Sequence, residues 1–148
     1  MRISAKGRYA LAAMVCMAQN FNSNDYLTVI SISEKLGISK IYLEQVFSLL
    51  KRGSLVISIK GAQGGYKLAK SPEQLTLYDI LAAVETSLFE TAEDTAIQKA
   101  PEIDAAMKYL AFDQLDKAVK TVLEQTSLND LLLESQKHKK DQSFMFYI

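Results

Sequence analysis

The 148-residue chain has no tryptophan, one cysteine, one histidine and two prolines, and each scarcity removes a class of protein. Cys16 has no second thiol to pair with, so an intrachain disulfide framework is excluded. One thiolate also cannot build a structural zinc site or a four-thiolate cluster from one chain, so no metal and no cofactor are expected. A reducing cytoplasm suits this composition. His138 falls in a charged stretch with nothing to support it, which leaves no Ser–His or Cys–His nucleophile pair, and Glu93-Asp94 lies in no recognisable cleft. No catalytic residue is expected, and an enzyme is not the expected class. No apolar run approaches the roughly 18 residues of a membrane span, so no membrane partner is expected. Arg2, Lys6 and Arg8 ahead of the apolar Tyr9 to Ala18 have the outline of a secretory leader. The stretch is short, however, and no small-x-small cleavage pattern follows, so a core helix with a basic first turn accounts for the same residues.

Net charge is also lacking, since 17 Lys and Arg balance 17 Asp and Glu. The balance hides a division. Residues 1–70 carry ten basic and three acidic side chains, a net of +7, whereas residues 71–148 carry seven basic and fourteen acidic, a net of −7. A basic segment can neutralise polyphosphate and an acidic one is repelled by it, so the halves are expected to have different tasks. A bipolar surface without a ligand would have the same arithmetic.

What is present is mainly helical. Tyr9, Leu11, Ala12, Met14, Val15 and Ala18 recur at helical spacing and predict a first helix over about 4–20, broken by Asn22-Ser23-Asn24-Asp25. Leu27, Ile30, Ile32 and Leu36 predict a short helix near 29–36 that ends at Gly37. Ser39 can cap a third, with Leu43, Val46, Phe47 and Leu50 on one face until Gly53. Two short helices joined by Gly37-Ile38-Ser39 make a helix-turn-helix. The stretch Leu55 to Ile59, rich in β-branched residues, three glycines from Gly61 to Gly65, and the alternation Tyr66-Lys67-Leu68 predict a hairpin behind it, which is a wing. Ser71-Pro72 places a boundary near residue 73. Thr76 and Asp79 form a capping box for a fourth helix, residues 86–101 form an acidic loop, and a long amphipathic helix is predicted from about 102 to 125. Its stripe, with Met107, Leu110, Leu115, Val119 and Val122, is expected to pack on a second copy of the chain; packing within the chain is the other reading. A short final helix from Ser127 covers the rest of 74–135, and a tail, 136–148, begins with a charged linker over 136–142 and ends in apolar residues. The expected fold is therefore mainly α, a winged helix-turn-helix domain plus a long dimerisation helix.

The second helix of such a motif enters the major groove by its N-terminal end, so Ser39, Lys40, Ile41, Tyr42, Glu44 and Gln45 are the candidates for reading base edges. Gln45 can pair with adenine and Glu44 can accept from the cytosine N4 amine. Arg2, Lys6, Arg8, Lys40, Lys51, Lys60 and Lys67 are expected near phosphates. Gly61, Gly64, Gly65 and Tyr66 shape a wing tip able to enter a minor groove. A nucleotide-binding loop is the weaker reading of those glycines, because no helix start follows to receive a phosphate. Met145, Phe146, Tyr147 and Ile148 are too apolar for an unanchored terminus. Either the tail folds back on its own dimer, or it is presented to a pocket that captures a terminal carboxylate.

Met1-Arg2, Lys6-Gly7-Arg8-Tyr9-Ala10, Tyr42-Leu43-Glu44-Gln45 with Phe47, and Leu55-Val56 through Gly61, Gly64-Gly65-Tyr66 and Leu68 resemble the Rrf-two family of bacterial winged-helix transcription regulators. Its iron–sulfur members carry three cysteines ahead of the dimerisation helix, and residues 86–108 here contain none. The chain is more similar to the branch that represses cysteine metabolism in Gram-positive bacteria, which lacks those cysteines and ends in a Met-Phe-Tyr-Ile tail. That resemblance implies a homodimer on double-stranded operator DNA, and a complex with cysteine synthase whose active site accepts the Ile148 carboxylate. The precursor O-acetylserine would compete for that site. Ile41 stands where the family carries a polar residue, and Gly53-Ser54 replaces a glycine directly before the Leu-Val strand. Three other classes stay open: an adaptor acting through the tail, a thiol redox sensor using Cys16, and a metal or cluster sensor.

Overall fold

Ser4 starts the first helix, α1 (Ala5–Gln19), by accepting the Gly7 N–H on its side chain at 3.2 Å. Ala10, Ala13, Met14 and Met17 recur three or four residues apart and turn one face of α1 into the core. Asn20 ends it, with its side-chain amide on the Cys16 carbonyl. Residues 2–61, 64–91 and 93–146 are described by the computed structural model. α2 (Val29–Leu36) is capped by Thr28 and stopped by Gly37, whose φ of 65° is the left-handed conformation of a helix C-terminus. Ser39 then caps α3 (Lys40–Arg52), which buries Leu43, Val46, Phe47 and Leu50. The helix-turn-helix therefore has the limits its sequence predicts.

The wing follows as an antiparallel pair, β1 (Val56–Ser58) and β2 (Tyr66–Leu68), with Val56 opposite Leu68 and Ser58 opposite Tyr66. Leu27, just ahead of α2, exchanges two 2.8 Å backbone hydrogen bonds with Tyr66 and extends the sheet on its other edge. At the end of α3 the left-handed residue is Ser54 (φ 61°), while Gly53 has an ordinary negative φ. The replacement of the family's single glycine by Gly53-Ser54 thus puts a side chain where glycine would be unstrained.

α4 (Leu77–Val84) starts with the predicted reciprocal cap: Asp79 accepts the Thr76 N–H at 3.0 Å and Thr76 accepts the Asp79 N–H at 3.1 Å. After the acidic loop, the chain is helical from Pro101 to Gln125, but not as one regular helix. α5 (Pro101–Met107) and α6 (Asp113–Gln125) are joined by a π turn over Lys108–Phe112. Such a turn inserts one residue and rotates everything beyond it by about 100°. The buried Asp104 ties the loop to α5 by accepting the N–H groups of Thr95 and Ala96.

One expectation is corrected at the C-terminal end. The charged run 136–142 is not a linker: α7 (Leu128–Phe146) runs unbroken through it. That run has no Gly or Pro and is rich in Gln and Lys, which favour helix, and its His138 Nε2 lies 3.0 Å from Glu134 Oε1 one turn earlier. The core is continuous across residue 73. Ile80 and Val84 of α4, and Leu128 and Leu132 of α7, join Met14, Ile32, Phe47 and Val56 in one cluster. The first two turns of α7 are docked, whereas every residue from Gln136 to Met145 is exposed.

Candidate nucleic-acid interface

The outward face of α3 carries Lys40, Ile41, Glu44 and Gln45, all exposed. Lys6, from the first turn of α1, shares one shallow concavity with Ile41, Glu44, Gln45, Ser48 and Leu49. Lys40 Nζ lies 3.6 Å from Glu44 Oε1, an exposed pair that leaves Glu44 partly neutralised. Tyr42 is half-buried, its ring edge-on to Tyr9 at 5.1 Å, so it fastens α3 to α1 as well as bordering the face. Ser39 is exposed and holds the Tyr42 N–H at 3.5 Å. Gln45 contributes the side-chain amide of this face.

The first turn of α1 is itself set by a buried carboxylate. Glu85, at the end of α4, accepts the Ser4 N–H at 2.9 Å and the Ser4 hydroxyl, so a negative group sits at the positive end of α1. A Cβ at Gly7 would come within 2.3 Å of that carboxylate, and only glycine allows the approach. Neither contact was foreseen, because the partners are about eighty residues apart.

The cations expected near phosphates do not share one surface. Arg8 lies two residues beyond Lys6, hence about 200° around α1. It lines a different groove, with Leu11, Val15, Lys35, Leu131 and Ser135. Lys67 points toward the α1–α2 connection, with Nζ 3.3 Å from Asn24 Oδ1 and 5.0 Å from the Tyr26 ring centre. Lys51 is exposed at the far end of α3, Lys60 and Gly61 at the hairpin, and Arg2 ahead of α1. Ala62 and Gln63 at the wing tip lie outside the described residues.

Gly65 and Tyr66 have architectural roles. A Cβ on Gly65 would meet Tyr26 Cβ at 3.0 Å and the Leu27 carbonyl at 3.2 Å, with φ at 135°. Tyr66 stacks on Phe47 with ring centres 4.6 Å apart, which binds the wing to α3. Gly64 takes a left-handed φ of 58° in open space and so serves the turn.

Burial raises the Cys16 thiol above the ordinary cysteine range, an effect that Lys35 partly offsets. This is the opposite of the lowered pKa of a reactive thiol. Among the described residues, no three His, Cys, Asp or Glu side chains are placed to hold a metal ion, and no helix is long and apolar enough to cross a membrane. Along the expected dimer stripe, Leu110 (74%), Leu115 (61%) and Val122 (62%) are exposed, while Met107 and Val119 are half-buried. Leu123 turns into the chain's own core instead.

Helices α1–α4 with a two-stranded wing packed on the second helix of a helix-turn-helix make a winged-helix fold of mainly α class. Residues 3–134 match the Rrf2 family model, described as an iron-dependent transcriptional regulator. The chain is 35% identical to the HTH-type transcriptional regulator CymR of Bacillus subtilis over the full length of both proteins. The structure of CymR, described as the global cysteine regulator of that organism, superposes with a TM-score of 0.73 at 32% identity, covering 90% of this chain and 98% of CymR. The HTH-type transcriptional regulator IscR of Cronobacter sakazakii is 43% identical over 91 residues, 62% of this chain and 56% of IscR, so that match spans only about half of the relative. The chain belongs to the Rrf2 family of transcriptional regulators and is not an enzyme. The iron dependence in the family description does not fit its residues, since the one cysteine is buried in α1 and the described carboxylates form no metal-binding group.

Proposed function

We propose that this protein is a homodimeric, cytoplasmic repressor that binds double-stranded operator DNA and controls genes of cysteine and sulfur metabolism. The observation that carries this reading is the convergence of Lys6 from α1 with Ile41, Gln45 and Ser48 of α3 on one outward face. In it, Lys6, Lys40 and Lys60 position phosphates and Gln45 reads a base edge. Arg2, Lys51, Gly61 and Gly64 border the duplex. Arg8 contributes only if the DNA, or the partner protomer, reaches the groove on the other side of α1. The exposed Leu110, Leu115 and Val122, with Met107 and Val119, form the dimer contact, and two-fold symmetry requires a roughly palindromic operator.

Similarity to CymR supports the cysteine assignment. The tail supports regulation by a second protein. Met145 is exposed at the end of a helix that projects from the fold. Phe146 closes that helix, and Tyr147 and Ile148 lie outside the described residues. The proposed partner is cysteine synthase, which would capture the terminal Ile148 carboxylate. Recovery of genomic fragments bound by the protein, with and without cysteine synthase, tests both parts. The reading expects fragments upstream of sulfur-uptake and cysteine-synthesis genes and a change in their recovery when the enzyme is present. It expects deletion of the last four residues to abolish that change while operator affinity stays. If the truncated protein instead loses operator binding, the tail belongs to the dimer. If no fragment is enriched but the enzyme still binds, the protein is an adaptor.

A further inference from the structure

We infer that Ile41 reads the 5-methyl group of thymine, and so dictates an A·T pair in each half-site. The inference rests on the DNA-binding reading above. Ile41 is the second residue of α3, is 70% exposed, and takes no part in the core. Lys6, Glu44, Gln45, Ser48 and the half-buried Leu49 share its concavity, so polar side chains and one further aliphatic group lie beside it. An exposed branched aliphatic group on the outward face of such a helix has one methyl counterpart on the floor of the major groove, that of thymine. Apart from the smaller C5–H of cytosine, the other base-edge features there are donors and acceptors, which Ile41 would strip of water without replacing the lost hydrogen bond. The side chain therefore favours thymine and penalises cytosine, whose N4 amine would be buried against it.

Placement on the helix links this contact to its neighbour. Ile41 and Gln45 are four residues apart on one face, about 6 Å along the axis, roughly two base-pair steps. A thymine methyl at Ile41 and an adenine at Gln45 would then lie within about two base pairs of each other in the same half-site.

The test starts from a duplex that the full-length protein selects from random sequence. Thymines are replaced one at a time by deoxyuridine, which removes the methyl and keeps every hydrogen bond. We expect one thymine in each half-site whose replacement weakens binding about fourfold, the effect of one buried methyl group. Ile41→Ser should bind the thymine and uracil duplexes equally, with an unchanged circular dichroism melt because the side chain is exposed. Ile41→Val should keep part of the discrimination. If no thymine responds, or if Ile41→Ser still prefers thymine over uracil, the inference is wrong while DNA reading stands. If no sequence is enriched in the selection, the DNA-binding reading itself fails and the inference falls with it.

Discussion

At the scale of single residues, the interface divides into groups that attract any duplex and groups that choose among sequences. In the proposed reading, Lys60, which is exposed beside the wing, is of the first kind. Lys60→Ala should weaken binding to operator and random DNA alike and lower the slope of log affinity against log salt by about one. Gln45→Ala should instead cost about 1–3 kcal/mol at one base pair and leave the salt slope unchanged; competition titrations with single-base operator variants separate the two. Cys16 makes a prediction of a different sort. Its thiol titrates higher when folded than when unfolded, because burial disfavours the thiolate. Above the unfolded thiol's pKa the unfolded chain holds fewer protons, so stability is complete below that pH and declines as pH rises through it toward the folded value. The melting temperature of the native protein should fall more steeply in alkaline buffer than that of Cys16→Ala. The native thiol should also react slowly with a disulfide reagent at neutral pH, and fast modification would revive the redox-sensor reading.

At the scale of elements, the limits of α1, α2, α3 and the hairpin were legible because their punctuation is local. Ser4, Thr28 and Ser39 cap, Gly37 stops, and the apolar residues keep helical spacing. Ser54 is the exception in that region, a left-handed residue with a side chain. Ser54→Gly should raise stability by about 1 kcal/mol in urea unfolding, since glycine has no Cβ to strain there. What was illegible has physical reasons. The π turn over Lys108–Phe112 contains no Gly or Pro to announce it. The length of α7 was hidden because a charged run reads as a linker by composition, although its residues favour helix. The turn of Lys67 toward Asn24 and Tyr26, some forty residues away, was equally hidden. The separation of Arg8 from Lys6, in contrast, was available from 100° per residue, but counting charges treats both alike.

At the scale of the whole molecule, the basic half of the chain contains α3 and the wing, and the acidic half contains the α5–α6 stretch with its exposed apolar residues. Those residues are the least economical feature of an isolated chain, and burying them against a second copy is the simplest account of them. Leu115→Glu combined with Val122→Glu should convert a dimer to monomers in sedimentation velocity. Because both positions are exposed, the fold should survive. A protein that is monomeric before the substitution would remove the two-fold operator from the proposal. The most direct test of the central claim is the affinity of the full-length protein for a duplex it selects from random sequence, compared with a scrambled duplex of equal composition at physiological salt. A sequence-reading face predicts a preference of about a thousandfold or more for a two-fold symmetric site. Equal affinity for both duplexes would contradict it.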